Sequence, residues 1–594
     1  MSFKKITGEK PNMAPSSKNG NNRVAEVDVI FDAVIVGAGF GGMYILHCLR
    51  DLGLSARVYE AGGSVGGTWY WNQYPGARCD VESMQYSYSF SEELDQEWSW
   101  AEKYSPQPEI LAYANHVADR FDLRQDILFD TRVTAATFEE GAKRWLIETS
   151  RGDRASAQFC IMAVGCLSAV NLPSFKGIND FEGSIYHTGE WPQEGVNFNG
   201  LRVGVIGTGS SAIQSIPIIA QQAASLTVFQ RTPNYSVPAW NEKMDPEYQQ
   251  AVKADYPALR AKARARPAGF YFPFNTQSAL EATPEERNRQ YDELWMRGGL
   301  PFLGAYGDLL FEKEANDTIA EFARAKIRSI VKDPATAELL CPDNVFGCKR
   351  LCVDTGYYET YNQPHVTLID ISKKPIDRFT MQGIAAGDVE YALDAIVCAT
   401  GFAAMTGAFD KIQISGRKGQ TLAEKWRAGP RTYLGLSSVG FPNLFMITGP
   451  GSPSVLANMI QAIEQHVDWM VDCISHMRDT GAKTIEPTIA YEDDWVDHVN
   501  EVAKVSLRST CSSWYVGANI PGRPRVFMPY IGGFPIYVNK CNEVMTNGFE
   551  GFVLDGANNA DASPRVRWTE RWRAPLEMDV ISPAMIAGRR VPVI

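Results

Sequence analysis

The sequence predicts an α/β protein: two Rossmann-like dinucleotide-binding domains with a helical insertion. Two observations carry that expectation. Gly37-Ala38-Gly39-Phe40-Gly41-Gly42 and Gly207-Thr208-Gly209-Ser210-Ser211-Ala212 each follow a short apolar strand and open a helix. A second strand then ends 23 residues after the first glycine of each loop, at Glu60 and at Gln230. A third observation joins them. Phe181-Glu182-Gly183-Ser184-Ile185-Tyr186-His187-Thr188-Gly189-Glu190-Trp191-Pro192 lies between the loops and fits F-x-G-x-x-x-H-x-x-x-W-P at every fixed position. Two nucleotides on one chain, with this segment connecting their domains, is the arrangement implied.

The first loop follows Val29–Val36, apolar apart from Asp32 and rich in β-branched residues, as a buried parallel strand requires. Gly37 permits the tight turn, Gly39 lets the backbone approach a pyrophosphate, and Gly42 lets helix and strand pack closely. The pyrophosphate belongs at the helix N-terminus, where free N–H groups and the dipole favour negative charge. Glu60 stands where a ribose-binding acid is expected. From Gly66 to Asp80 the chain reads Gly-Gly-Thr-Trp-Tyr-Trp-Asn-Gln-Tyr-Pro-Gly-Ala-Arg-Cys-Asp. Aromatic residues mixed with glycine, without helical or strand period, suit a flat ring system lying on a loop.

The second loop follows Leu201–Ile206, and Ala212 replaces its third glycine, which the fingerprint allows. Here the second strand, Leu226–Phe229, ends at Gln230-Arg231-Thr232 rather than at an acid. An acid accepts from a free ribose hydroxyl and repels a 2′-phosphate, which arginine attracts. The first site therefore fits FAD and the second NADPH. His187 has no second histidine or carboxylate at metal spacing. With Phe181, Gly183, Trp191 and Pro192 it is read as holding the hinge between domains rather than moving protons.

From about 241 to 344 charge and helix formers rise, and Thr283-Pro284-Glu285-Glu286 reads as an N-cap, a proline at the first helical position and a capping glutamate. Cys348-Lys349-Arg350-Leu351-Cys352 follows; two adjacent cations there suit either a phosphate or oxyanion site or a plain surface pair. The expected domains are 29–165 with 390–555 for FAD, 180–240 with 345–389 for NADP, and the insertion at 241–344. A polar tail, 1–28, and an extension, 556–594, flank them. The extension holds Arg565, Arg567, Trp568, Arg571, Trp572 and Arg573, and reads equally as a packed tail or a disordered end.

Composition bounds the function. The 594 residues suffice for three or four units at about 150 each. A net charge of -12 argues against a nucleic-acid partner and for a small molecule. No apolar segment reads as a signal peptide or a membrane span. Eleven cysteines with no C-x-x-C pair point to reduced thiols in a cytoplasmic protein.

The linker segment, together with G-G-x-W-x-x-x-x-Y-P-G-x-x-x-D over Gly66–Asp80, resembles the signatures of the Baeyer–Villiger monooxygenases. So do Lys349-Arg350 before Gly356-Tyr357-Tyr358 and the late Ser513-Trp514-Tyr515 loop. The resemblance spans about 29–554. It implies that Gly67, Thr68 and Trp69 lie on the isoalloxazine side of FAD. It implies also that Gly207, Gly209, Ser210, Arg231, Thr232 and Lys349 hold NADPH, and that Trp514 touches the nicotinamide ribose. Asp80 and Arg350 become the active-site pair. The implied reaction takes O2 and a ketone to a lactone or ester through a flavin peroxyanion that Arg350 stabilises and Asp80 balances. The rivals are an N- or S-oxygenating flavin monooxygenase, which usually lacks W-P at the end of the linker, and a non-catalytic flavin- or NADPH-binding sensor. A disulfide reductase would need a paired-cysteine motif.

Overall fold

A computed structural model describes residues 29–272, 274–557, 563–564 and 566–572. Residues 1–28, Arg565 and everything from Arg573 onward lie outside them. The first sheet has the strand order 413–415, 133–139, 144–149, 154–162, 29–36, 56–59, 127–128. Val34 sits between Cys160 and Arg57 in parallel register. The strand 154–162 is shared: its first half pairs antiparallel with 144–149, and its last three residues pair parallel with Leu444–Met446. The strand Val29–Val36 is buried only from Ala33 on; Val29 and Ile30 are exposed, and there the strand pairs with 154–162 on one side while 56–59 joins the other side only from Ala33.

The second sheet is all parallel, in the order 366–370, 225–230, 202–206, 395–398, 184–187. The signature segment, expected within this unit, contributes a strand, Ser184–His187, at the edge of this sheet. One placement differs from expectation. Ala395–Cys398, expected with the first unit, pairs instead between 202–206 and 184–187. Its four residues are buried on both faces, which an interior parallel strand needs. The chain therefore returns to the first unit only past Gly401.

Between the strands Ser236–Pro238 and Cys352–Asp354 the chain runs through a helical stretch: Pro246–Ala254, Tyr256–Arg264, Pro284–Arg297, Lys313–Ile330 and Pro334–Leu340. The Thr283 hydroxyl accepts the Glu286 N–H and the Glu286 carboxylate accepts the Thr283 N–H, closing the capping box read from sequence.

The described part of the extension, 566–572, packs. Helix Met459–Thr480 buries Glu464, Asp468 and Asp472 at four-residue spacing on one face. Asp468 accepts from Tyr44 at 2.7 Å, Trp572 Nε1 at 2.7 Å and Arg571 Nε at 2.6 Å. Asp472 accepts the backbone N–H groups of Arg567, Trp568 and Thr569 and the Thr569 hydroxyl. Buried carboxylates demand such partners, and residues 566–572 supply them. This strap ties the C-terminal segment to the helix behind the first sheet.

The thiol expectation is corrected at one pair. Cys348 and Cys511 form a disulfide with their Cα atoms 6.1 Å apart, across 163 residues of sequence. Spacing could not show it, since only the fold brings the two loops together. The other nine cysteines are free thiols.

Candidate active site

The C-terminal ends of the parallel strands 29–36 and 202–206, one in each sheet, lead into one cavity of about 1900 Å³, where open α/β sheets place their ligands. Its wall includes Gly39, Thr68, Trp69, Asp80, Gly207, Gly209, Ser210, Arg231, Thr232, Lys349, Arg350 and Trp514. Both glycine loops lead into helices, Phe40–Asp51 and Ser210–Ala220. Their N-caps, Gly39 and Gly209, offer no side-chain hydrogen bond to the first turn. Those N–H groups are left for an anion. A Cβ on Gly209 would meet nothing within 4 Å, so this backbone opens directly onto free space. A Cβ on Gly42 would overlap the Gly37 carbonyl, the close helix–strand packing expected of the third glycine.

Lys349 and Arg231 stand near each other: burial and then the Arg231 charge lower the Lys349 pKa. Neither makes an ion pair among the described residues. The Asp343 carboxylate acts on Lys349 only from beyond ion-pair distance, so two neighbouring cations remain that suit a phosphate. The residues therefore fit two dinucleotides. Glu60 is a partial exception. It lies off the cavity wall, and its carboxylate takes the Ala38 and Gly62 N–H groups, each at 2.7 Å, so in this structure it braces the first glycine loop.

Asp80 and Arg350 meet across 270 residues. Arg350 Nε donates to Asp80 Oδ2 at 3.0 Å, and Nη1 donates to the Val455 carbonyl at 3.2 Å. Burial pushes the Asp80 carboxyl up, against the pull of the Arg350 charge and hydrogen bond. Burial also opposes the guanidinium charge, yet Asp80 overrides it and Arg350 is raised. The pair keeps a permanent cation on the cavity wall with its counter-ion behind it.

One residue of the site escaped the sequence reading. Gln214, on the helix that starts at Ser210, donates Nε2 to Asp80 Oδ1 at 3.2 Å and to the Arg78 carbonyl at 3.1 Å. It accepts the Tyr74 hydroxyl at 2.7 Å. The second dinucleotide helix thus holds the acid of the first unit. Gly76 makes this possible, with φ at +79° and no room for a Cβ against the Gln214 carbonyl. A glutamine inside the mostly apolar run Ala212–Ile219 was the available signal.

The linker residues stay off the cavity. Phe181 packs with Ile206, Phe229 and Phe379, and Trp191 with Tyr186 and Phe198. A Cβ on Gly183 would collide with the Asp394 carbonyl. His187 Nδ1 accepts the Gly189 N–H at 3.0 Å, its Nε2 lies 3.3 Å from the Thr400 hydroxyl, and burial lowers its pKa to about 4. A neutral, hydrogen-bonded histidine is a brace. Thr188, next to it, meets Ser211 of the second loop at 3.1 Å.

Residues 32–246 match the family model described as flavin-binding monooxygenase-like. A Baeyer–Villiger monooxygenase of Pseudooceanicola batsensis is 42% identical over 530 residues, 88% of this chain and 96% of that protein. The chain belongs to the Baeyer–Villiger monooxygenase family. A solved structure titled oxidized steroid monooxygenase bound to NADP shares 52% identity at a TM-score of 0.85, covering 88% of this chain and 99% of that one. A phenazine N-monooxygenase of Lysobacter antibioticus is 39% identical over 528 residues, covering 88% of this chain and 97% of that protein. As a member of the Baeyer–Villiger monooxygenases the protein uses FAD and NADPH and converts a ketone to a lactone or ester. Among the described residues there is no group of side chains able to hold a metal ion, and no helix long and apolar enough to cross a membrane.

Proposed function

We propose that Arg350 is the cation at which the oxygenation occurs and that Asp80 holds it there. The observation that carries this is the Asp80–Arg350 ion pair on the wall between the two glycine loops. FAD reduced by NADPH supplies the activated oxygen. Arg350 sets a planar, always-charged donor fork where negative charge develops. Asp80 fixes its orientation, and Gln214 fixes Asp80. Lys349 and Arg231 take the 2′-phosphate of NADPH, the N-terminus at Gly209 takes its pyrophosphate, and Trp514 closes over the ribose. Gly37 to Gly42, Gly67, Thr68 and Trp69 seat FAD.

The ketone is a mostly apolar one larger than a small ring. Beyond the dinucleotide loops the cavity is walled by Phe270, Phe272, Phe274, Leu300, Leu303 and Leu310, and the 52% identity to a steroid monooxygenase agrees with such a wall. The similarity to an N-oxygenating enzyme favours a second reading, transfer of oxygen to a ring nitrogen.

The test is product analysis on a panel of linear, aryl, small-ring and polycyclic ketones with an N-heterocycle arm, NADPH oxidation being followed in parallel. Ester or lactone from the bulky ketones is expected. N-oxide as the sole product would establish the second reading.

A further inference from the structure

Arg508 is a cation on the cavity wall that none of these roles uses. It sits in the short helical turn Leu507–Thr510. Among the described residues no carboxylate lies within ion-pair reach of it. Its one hydrogen bond to another segment is Nε to the Gly347 carbonyl at 3.0 Å. A guanidinium has five N–H donors, so the two Nη groups keep theirs for something else. Burial lowers the Arg508 pKa, and the charges that act on it are those of Tyr515 and Arg350.

The mounting is rigid. The Ser506 hydroxyl accepts the Arg508 N–H at 3.2 Å, and the Leu310 carbonyl accepts the Leu507 N–H at 2.9 Å. The Cys348–Cys511 bridge fastens the end of the turn to the segment carrying Arg350. Leu303 and Leu310 stand beside Gly347. A cation so placed, half-buried and without a counter-ion, has lost part of its hydration, and nothing in the protein replaces that part. A ligand with an anionic oxygen would replace it. Cofactor phosphate is the weaker candidate. The charge of Arg231 acts on Lys349, whereas the cation whose charge acts on Arg508 is Arg350.

We infer that Arg508 is a specificity residue that takes a carboxylate of the substrate, so that the preferred ketones are keto acids with an apolar body. This rests on the ketone reading of the site.

The test compares a linear methyl ketone with the keto acid of equal length, on holoenzyme with FAD and NADP+ bound. Binding is read from the perturbation of the flavin absorbance, which does not require turnover. KM and kcat are measured beside it. The wild type should bind the keto acid more tightly than the neutral ketone. Arg508→Leu should weaken the keto acid by about 10- to 100-fold, the range of a charge-assisted hydrogen bond. The neutral ketone and NADPH should be unchanged, and Arg508→Lys should recover part of the loss. Equal affinity of wild type for both ketones would overturn the inference. So would a rise confined to the KM for NADPH, which would assign Arg508 to a cofactor phosphate, or an equal loss with both ketones, which would make it a prop for Arg350. Tighter keto-acid binding without turnover of any ketone would leave the assignment of Arg508 standing and fell the ketone reading.

Discussion

At the residue scale, the site is held by polar side chains that each have one task. Gln214 is the clearest case, because it spans the two nucleotide units. Gln214→Leu removes the donor to Asp80 and leaves the Tyr74 hydroxyl and the Arg78 carbonyl unpaired, at a cost of about 1–3 kcal/mol. FAD content should stay normal, while ester formed per NADPH falls by about tenfold as Asp80 loosens its hold on Arg350. Unchanged coupling would mean that Asp80 needs no such support. His466 makes a different prediction. It is fully buried and neutral, accepts the Thr448 N–H at 2.9 Å, and meets the Tyr537 hydroxyl at 2.9 Å. Burial lowers its pKa from 6.5 to about 3. A depressed pKa means that its stability is complete above the unfolded value and is lost as pH falls through 6.5 toward 3. By pH 5 the loss is about 2 kcal/mol. The stability gap between wild type and His466→Gln, read by thermal unfolding, should narrow by that amount between pH 7.5 and pH 5. A gap that does not change with pH would show that His466 takes up a proton without penalty.

At the element scale, the C-terminal strap is the feature that sequence left open. Tryptophan and arginine in a tail have no period to read, and their partners, Asp468 and Asp472, lie about a hundred residues earlier on a helix. Their burial could not be seen without the strap itself. Arg571→Met should therefore destabilise by about 3–5 kcal/mol, the cost of breaking a buried pair on one side. Asp468→Asn in the same chain should restore much of it, since an amide needs no counter-ion. If the double variant is no more stable than the single one, the strap acts through packing of Trp572 alone. The glycine loops behaved differently. Their strand–loop–helix order and the 23-residue offset were local, so they were legible, and each loop lies where it was placed. The strand Ala395–Cys398 falls in the range 390–555 expected for the first unit but pairs in the second sheet, because a short apolar run does not name its partner.

At the scale of the whole molecule, fold class and cofactors were legible because two nucleotide motifs and the linker signature sit on one chain. Asp80 and Arg350 were legible only through resemblance. Residue spacing says nothing about two side chains 270 positions apart, and their ion pair is a product of the assembled sheets. Gln214, Arg508 and the Cys348–Cys511 bridge were missed for the same reason: each acts through a neighbour that only the fold supplies. What the molecule does as a whole is place one paired cation between two dinucleotide sites.

The measurement that tests this most directly is product yield per NADPH consumed in Arg350→Ala, with hydrogen peroxide assayed beside it. FAD should remain bound and NADPH should still be oxidised. Ester or lactone should fall below detection, with peroxide accounting for the NADPH used. Ester or lactone at close to wild-type yield would contradict the assignment, and the Asp80–Arg350 pair would be a structural tie between the two units rather than the centre of the chemistry.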